Sequence, residues 1–290
     1  MTIRKTTPGD SVRVSVPGTT ANLGPGFDAF GLALDLSNTV TVTRTEPKTP
    51  LSPMIESTAA SFFRGSALPP FPFAWSIKGK VPQSRGLGSS VTVRLGTLLA
   101  LNELAGRPLS RNGLFRLCAD LEGHPDNAAP ALFGGFTIAR GGKDPIRFPV
   151  SDTLRFVLLV PGFEVSTPEA RKVMPKSIRI PDAAANAADA AVIAAAFATR
   201  KYSLLRGAFG DRMHQPHRAR LVPFLGDVIA AGEAAGAVGG WLSGSGSTIC
   251  CLSPDAGTSS AIARAMKKAA PAGSATITAS ADNRGAIILR

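Results

Sequence analysis

A glycine- and serine-rich segment, Gly86-Leu87-Gly88-Ser89-Ser90, runs directly into a stretch whose apolar residues recur at helical spacing from Val91 to Ala105. The first turn of a helix has free backbone N–H groups and the positive end of the helix dipole, and both favour a bound anion. The segment therefore predicts either a phosphate-binding loop or an ordinary helix capped by a serine. It is not a Walker A loop, because no Lys-Ser or Lys-Thr pair follows the glycines, and it lacks the GxGxxG spacing of a dinucleotide fingerprint.

Patterns of apolar residues predict strands and helices that alternate along the chain without an internal repeat, which indicates an α/β or α+β protein of two lobes. The predicted strands are 11–16, 39–43, 73–78, 133–139, 156–160, 239–242, 248–252, 276–279 and 286–289. The predicted helices are 54–63, 91–105, 110–121, 168–173, 183–198, 224–235 and 256–269. A glycine-rich turn is expected between the first two strands, and Asn102 is expected on the exposed face of its helix. The polar stretch 140–152 predicts the boundary between two domains, 1–151 and 152–290.

Composition and charge exclude several classes of protein. With 44% hydrophobic and 18% charged residues, the chain is expected to fold as a soluble protein. Three cysteines without CxxC spacing exclude a disulfide scaffold. The first thirty residues lack the apolar run of a secretory signal, and 183–198 is too short and too weakly apolar for a membrane helix. We therefore expect a cytoplasmic protein with no membrane partner.

The formal net charge of +12 permits an anionic partner but does not identify it. The basic residues are scattered along the chain, and Tyr202 is the only tyrosine, so few aromatic side chains are available to stack on bases. Nucleic-acid binding is therefore not expected, and a phosphorylated or otherwise anionic small molecule is favoured.

Three further polar stretches favour a ligand site. Residues 17–28 are too irregular for a simple hairpin, residues 122–127 bring together side chains that could bind a metal or a zwitterion, and residues 242–248 form a glycine- and serine-rich turn before an apolar strand. Glycines at such a turn let the backbone approach a ligand closely.

Together these stretches resemble the GHMP small-molecule kinases, and within them the homoserine kinase branch. The matching segments are VPGTTANLGPGFDAFGLALDL (Val16 to Leu36), PQSRGLGSS (Pro82 to Ser90), EGHPDNAAPALFGGF (Glu122 to Phe136), VSTPEAR (Val165 to Arg171), DRMHQPHR (Asp211 to Arg218) and LSGSGST (Leu242 to Thr248). They occur in the family's order and span nearly the whole chain.

The resemblance implies an α+β fold of two lobes, the first with a left-handed βαβ crossover and the second ferredoxin-like. It also implies ATP- and Mg²⁺-dependent transfer of the γ-phosphoryl group to the side-chain hydroxyl of L-homoserine, a step of threonine biosynthesis. Family members often form homodimers, so a homodimer is a further expectation.

The resemblance also implies which residues bind the nucleotide and its metal. The implied nucleotide-binding residues are Pro82, Arg85, Gly86, Leu87, Gly88, Ser89, Ser90, Gly244 and Gly246. Ser90 and Glu122 would supply oxygen ligands to Mg²⁺, which binds few protein groups and keeps several waters.

A zwitterionic acceptor needs an opposite charge for each of its ends. Arg171 and Arg218 fall on the family positions that would bind the carboxylate, and a guanidinium can do so with two parallel hydrogen bonds. The residues expected around the ammonium and hydroxyl groups are Asn22, Asp28, His124 and Asp126.

The proton acceptor is the least defined part of the expected site. Some relatives use an aspartate where Asn127 stands, and an amide cannot accept a proton at neutral pH. We expect Asn127 to orient the hydroxyl, while its proton leaves late to the γ-phosphate or through Thr167, because a loose transition state demands little early deprotonation.

Two alternatives stay open at this point. One is a GHMP kinase for another alcohol such as shikimate, mevalonate or a sugar, although an uncharged acceptor would not need Arg171 and Arg218 together. The other is a basic binding protein without catalytic activity.

Overall fold

The computed structural model describes residues 10–289, which form two antiparallel sheets with helices packed against them. The strands are β1 (Ser11–Ala21), β2 (Phe30–Thr43), β3 (Ala74–Gly79), β4 (Phe136–Ile138), β5 (Ile146–Phe148), β6 (Arg155–Val160), β7 (Gly239–Leu242), β8 (Ile249–Ser253), β9 (Ala275–Ala279) and β10 (Ile287–Leu289). The helices are α1 (Pro53–Ser66), α2 (Ser89–Leu104), α3 (Arg111–Glu122), α4 (Ala128–Phe133), α5 (Thr167–Lys172), α6 (Ile180–Thr199), α7 (Gln215–Arg218), α8 (Leu225–Ala234) and α9 (Ala256–Ala269), with a 3₁₀ turn at Tyr202–Leu205.

The first sheet has the order β10-β1-β2-β4-β5, with β3 also paired to β2. Its central pair, β1 and β2, is longer than the sequence predicts, since β1 continues through residues 17–21 where a turn was expected. A register shift between Pro17 and Thr19 accommodates the irregular residues within the strand pair. The two strands separate only after Ala21, so the turn between them is confined to residues 22–29.

Helix α2 packs on β1 and β2 and contributes buried leucines to the core of the first lobe, among them Leu95 and Leu98. Asn102 was expected to be exposed, but it is buried because its amide group donates to the Leu109 carbonyl and accepts from the Leu109 N–H. These two bonds satisfy the polar side chain inside the core and hold the loop after α2.

The second sheet has the order β7-β8-β6-β9, with every neighbouring pair antiparallel. Its strands follow in the chain as β6, β7, β8 and β9, so two interleaved β-helix-β units build the sheet. This is the ferredoxin-like arrangement expected for the second lobe. The left-handed crossover expected in the first lobe stays a prediction.

The lobes share a core, and the last strand of the chain, β10, joins the sheet of the first lobe. Phe136 of β4 stacks on Phe197 of α6 with ring centroids 4.2 Å apart. The expected boundary at 151/152 lies between β5 and β6, and that division stays a prediction. One part of it needs correction: β10 was expected in the second lobe, yet it pairs with β1 of the first sheet, where Arg13 lies opposite Leu289.

One strand was predicted to begin too early. A strand was predicted over 133–139, but α4 ends at Phe133 and β4 begins only at Phe136. Gly134 and Gly135 separate them with φ angles of 75° and 72°, in the left-handed region that interrupts both helix and strand.

Helix α6 is longer than the predicted 183–198 and meets the length and apolar composition of a membrane span, so the expectation that this stretch is too short and too weakly apolar is wrong. Its Ile193, Ala196 and Phe197 are nevertheless buried in the protein core, and its Asn186 is also buried. In the part of the chain that is described, only 22% of this apolar stretch is buried, so α6 packs one face against the protein and leaves the rest exposed.

We expect Gly31→Ala to destabilise the fold by about 2 kcal/mol, because overpacking a filled site typically costs about 1–3 kcal/mol. A Cβ at Gly31 of β2 would overlap the Asp126 carbonyl oxygen, so the turn that carries Asp126 must move. Gly141→Ala is the matched control, since a Cβ there meets nothing within 4 Å. Urea unfolding measures both, and equal stabilities of the two variants would contradict this close approach.

Candidate functional site

A cavity of about 390 Å³ lies between the lobes, and most of the expected site residues line it. Those lining residues are Asn22, Asp28, Arg85, Gly86, Gly88, Ser89, Ser90, Glu122, His124, Asp126, Asn127, Thr167, Arg171, Arg218 and Gly244. Pro82, Leu87 and Gly246 do not line it. Leu87 is fully buried, and Gly246 lies behind the glycine loop. The wall also includes residues that the sequence did not single out, such as Met54 and Val93.

The glycine-rich loop presents its backbone N–H groups at the start of α2. Gly86 and Gly88 have φ angles of 71° and 66°, which favour glycine. Gly88 is the N-cap residue and no side chain caps the helix, so the interpretation as a serine-capped helix is wrong. Within residues 10–289, no amide from Gly86 to Ser90 donates a hydrogen bond. Free N–H groups on a positive helix end suit an anion.

This loop is held by strands and turns of both lobes. From the first lobe, the Thr19 N–H donates to the Leu87 carbonyl at 3.1 Å. From the second, the Ser243 hydroxyl donates to the Gly86 carbonyl at 2.7 Å, and the Thr248 N–H donates to the Arg85 carbonyl at 3.2 Å. Because the carbonyls of the loop accept hydrogen bonds from both lobes on the side away from the cavity, its amide N–H groups face the cavity.

Ser90 and Glu122 meet beside the loop. The Ser90 hydroxyl donates to Glu122 Oε2 at 2.7 Å. The other carboxylate oxygen, Oε1, accepts from Arg94 Nε at 2.6 Å, and the Glu122 side chain is only 8% exposed. Arg94 was not identified from the sequence, and its guanidinium is the counter-charge that lies against the Glu122 carboxylate.

At the other end of the cavity, one backbone carbonyl joins the two lobes. The Gly244 carbonyl accepts from Asn22 Nδ2 at 3.0 Å and from Arg218 Nη1 at 2.8 Å. Asn22 has a φ angle of 70° and accepts the Asp28 N–H on its Oδ1, so it also shapes the turn that carries Asp28. Arg218 is 3% exposed, and burial lowers the pKa of its guanidinium, which still stays charged.

Asp28 and Arg171, expected on opposite ends of a zwitterion, pair with each other here. Arg171 Nη2 lies 2.9 Å from Asp28 Oδ1 and 3.1 Å from Oδ2. Both side chains are more than a third exposed, so the pair is weak and can exchange partners. Arg171 and Arg218 both lie over the ring of Phe27, with their guanidinium carbons 5.7 and 5.1 Å from its centroid. The sequence did not single out Phe27.

A chain of hydrogen bonds runs from His124 to Thr19 along the cavity wall. His124 Nδ1 lies 2.6 Å from Asp126 Oδ1, which also accepts from the Asn127 amide. Asn127 Oδ1 accepts from the Thr19 hydroxyl at 2.6 Å. Burial opposes the charge on His124, but the hydrogen bond to Asp126 and the nearby carboxylates raise its pKa above the ordinary value. The Asn127 amide is therefore fixed in orientation.

Residues 122–127 do not form a metal site of their own. Among the residues described, no three His, Cys, Asp or Glu side chains gather in a way that could hold a metal ion. A metal at Glu122 would need the Ser90 hydroxyl and oxygens from a ligand to complete its coordination.

Two family models match the chain: the GHMP kinases N terminal domain over residues 54–135 and the GHMP kinases C terminal model over residues 193–272. A homoserine kinase of Thermus thermophilus is 39% identical over 270 residues, covering 89% of this chain and 91% of its own length. One from Microchaete diplosiphon is 39% identical over 277 residues, covering 89% of this chain and 90% of its own.

Solved structures agree with these matches. The crystal structure of homoserine kinase from Cytophaga hutchinsonii aligns with a TM-score of 0.89 and 26% identity, covering 99% of this chain and 100% of that one. A mevalonate kinase structure aligns with a TM-score of 0.70 at 14% identity, covering 94% of this chain and 99% of that one, which shows the shared fold alone.

We expect Arg94→Met to destabilise the protein by about 3 kcal/mol, because it leaves the buried Glu122 carboxylate without its counter-charge. Arg107→Met is the matched control, since Arg107 pairs with Glu103 near the end of the same helix but is exposed, and little change is expected there. Denaturant unfolding measures both variants. The account of the Arg94 pair would be wrong if the two substitutions cost the same.

Proposed function

We propose that this chain, which belongs to the GHMP kinases and within them to the homoserine kinases, transfers the γ-phosphoryl group of ATP to the side-chain hydroxyl of L-homoserine. The product is O-phospho-L-homoserine. The observation that carries the proposal is one cavity with an uncapped helix terminus at one end and an arginine and aspartate pair at the other. The first end suits a polyphosphate and the second suits an amino acid.

The nucleotide end supplies positioning and charge neutralisation, which are the main requirements of phosphoryl transfer. The amides from Gly86 to Ser90 would bind the β- and γ-phosphates. Ser90 and Glu122 fit Mg²⁺, because two hard oxygen groups already lie side by side at the cavity wall. Bound there, Mg²⁺ would neutralise charge on the phosphates. Arg94 would keep the Glu122 carboxylate turned toward Ser90.

The acceptor end discriminates by charge. L-Homoserine carries a carboxylate and an ammonium group, and binding would exchange the Arg171–Asp28 pair for two new ones. Arg171 and Arg218 would take the carboxylate, while Asp28 would take the ammonium group. Asn22, His124 and Asp126 would complete the surroundings of the ammonium and hydroxyl groups. This exchange supports an amino acid over an uncharged alcohol, since a neutral ligand would give Asp28 and Arg171 no replacement partner.

The catalytic assignments rest on Asn127, Thr167 and Arg171. Asn127 would orient the acceptor hydroxyl through its hydrogen-bonded amide. Thr167, the first residue of α5, lies at the cavity and would pass on the late proton, which otherwise goes to the γ-phosphate. The proposal also includes a cytoplasmic location, expected from the composition of the chain, and a homodimer, expected from the family resemblance.

The reaction is tested by measuring ADP release with L-homoserine, mevalonate, shikimate and galactose as acceptors. We expect turnover with L-homoserine to exceed that with each other acceptor by at least about a hundredfold. Mevalonate and shikimate carry a carboxylate but no ammonium group for Asp28, and galactose carries neither charge, so each loses charge-assisted hydrogen bonds that together cost about 3 kcal/mol or more. Equal or faster turnover with one of the other three would reject the proposed acceptor.

Arg218→Lys tests the acceptor end. A lysine keeps the charge but not the planar set of donors, and losing one charged hydrogen bond costs about 1.5–3 kcal/mol. We therefore expect the KM for L-homoserine to rise about tenfold or more, while the KM for ATP stays within about twofold. Arg220→Lys, an exposed arginine two positions on, is the control and should change neither. Equal effects of Arg218→Lys on both KM values would contradict the assignment.

A further inference from the structure

His214 is completely buried at the acceptor end, yet it does not line the cavity. Its Nε2 lies 2.9 Å from the Gly24 carbonyl oxygen, and its ring stacks on Phe27 with centroids 5.2 Å apart and an interplanar angle of 28°. Its Nδ1 has no hydrogen-bond partner within residues 10–289. Burying a ring nitrogen without a hydrogen-bond partner costs folding free energy, so we expect the His214 ring to support contacts that offset this cost.

The imidazole joins the two lobes at the point where the acceptor charges are presented. On the side of the second lobe, His214 is the N-cap residue of α7, and its carbonyl accepts the Arg218 N–H at 2.9 Å. On the side of the first lobe, Gly24 and Phe27 belong to the turn that also carries Asn22 and Asp28. His214 therefore contacts both the turn with the carboxylate and the helix with the guanidinium.

Phe27 transmits this contact to both arginines. The His214 ring stacks on the Phe27 ring. The guanidinium carbons of Arg171 and Arg218 lie 5.7 and 5.1 Å from the centroid of the same Phe27 ring. Arginine prefers the face of an aromatic ring, so the tilt of Phe27 influences the direction of both guanidinium groups. That tilt depends on the imidazole stacked against it.

The backbone that carries the imidazole is held by Asp211, whose Oδ2 also lies 3.5 Å from His214 Nε2. Asp211 Oδ2 accepts from the backbone N–H groups of His214 and Gln215 at 2.9 and 2.6 Å. Its Oδ1 accepts from Asn186 of α6 at 2.8 Å, which ties the segment before α7 to α6.

His214 is neutral around pH 7, because burial lowers its pKa to about 4. The Gly24 carbonyl can only accept, which assigns the ring hydrogen to Nε2. The ring then donates one hydrogen bond and stacks without adding a charge beside the buried Arg218.

We propose that His214 is a positioning residue for the amino-acid acceptor, setting through Gly24 and Phe27 the distance between the Asp28 carboxylate and the Arg218 guanidinium. This inference rests on the proposed function, since it assumes that these two groups bind opposite ends of one ligand. His214 acts on acceptor binding and leaves the nucleotide loop unaffected, because it contacts none of residues 86–90.

Two substitutions separate the two contacts. His214→Phe keeps an aromatic ring against Phe27 but removes the donor to Gly24, and His214→Gln keeps a donor of similar reach but removes the ring. We expect each to raise the KM for L-homoserine at least fivefold while the KM for ATP and kcat stay within about twofold. Phe27→Leu and the double variant Phe27→Leu with His214→Gln complete the set. The double variant should raise the KM for L-homoserine no further than the single variant with the larger effect, because both substitutions remove the same ring contact.

His217→Gln is the matched control, since this histidine lies on the same short helix and its side chain has no hydrogen bond or ring contact within the described chain. It should leave both KM values and the melting temperature unchanged. Equal shifts of both KM values in the His214 variants, unchanged KM values, or loss of the folded state in His214→Gln would each overturn the inference. If the wild-type protein does not phosphorylate L-homoserine, the proposed function itself fails. If it does and the His214 variants match it, only the role of His214 fails.

Discussion

The close approach of two glycine-rich turns, one from each lobe, is the constraint on which the rest of the site depends. A Cβ at Gly86 would overlap the Ser243 carbonyl oxygen, so the turns can meet only where a side chain is missing. The Ser243 hydroxyl donates to the Gly86 carbonyl and lies 2.9 Å from the Thr20 hydroxyl, which accepts from Trp241 Nε1. This contact fixes the start of α2 against the second sheet and leaves the loop amides facing the cavity.

The same turn of the second lobe also organises the acceptor end. The Gly244 carbonyl, one residue beyond Ser243, accepts from Asn22 and from Arg218. The proposed phosphate-binding and amino-acid-binding ends are therefore built against one short segment. Their relative position depends on a few hydrogen bonds between the lobes, which suits a reaction that works mainly by positioning.

Local patterns allowed much of this structure to be predicted, and non-local contacts account for the errors. Helix α9 has the predicted bounds because its period is strong and its Asp255 cap is local. The continuation of β1 past Pro17 and the return of β10 to the first sheet depend on partners far along the chain. In the site, motif positions identified Glu122, Asp28 and Arg218. Arg94, Phe27 and His214 were missed because each matters through a neighbour distant in sequence.

The most direct test of the central claim is a crystal structure of the protein with a non-hydrolysable ATP analogue and L-homoserine bound together. The account predicts the terminal phosphate at the start of α2, against the amides of Gly86 to Ser90, with the acceptor hydroxyl about 3–3.5 Å from its phosphorus atom. The amino-acid carboxylate should lie at Arg218. Finding either ligand outside this cavity, or the acceptor turned with its carboxylate toward α2, would contradict the account.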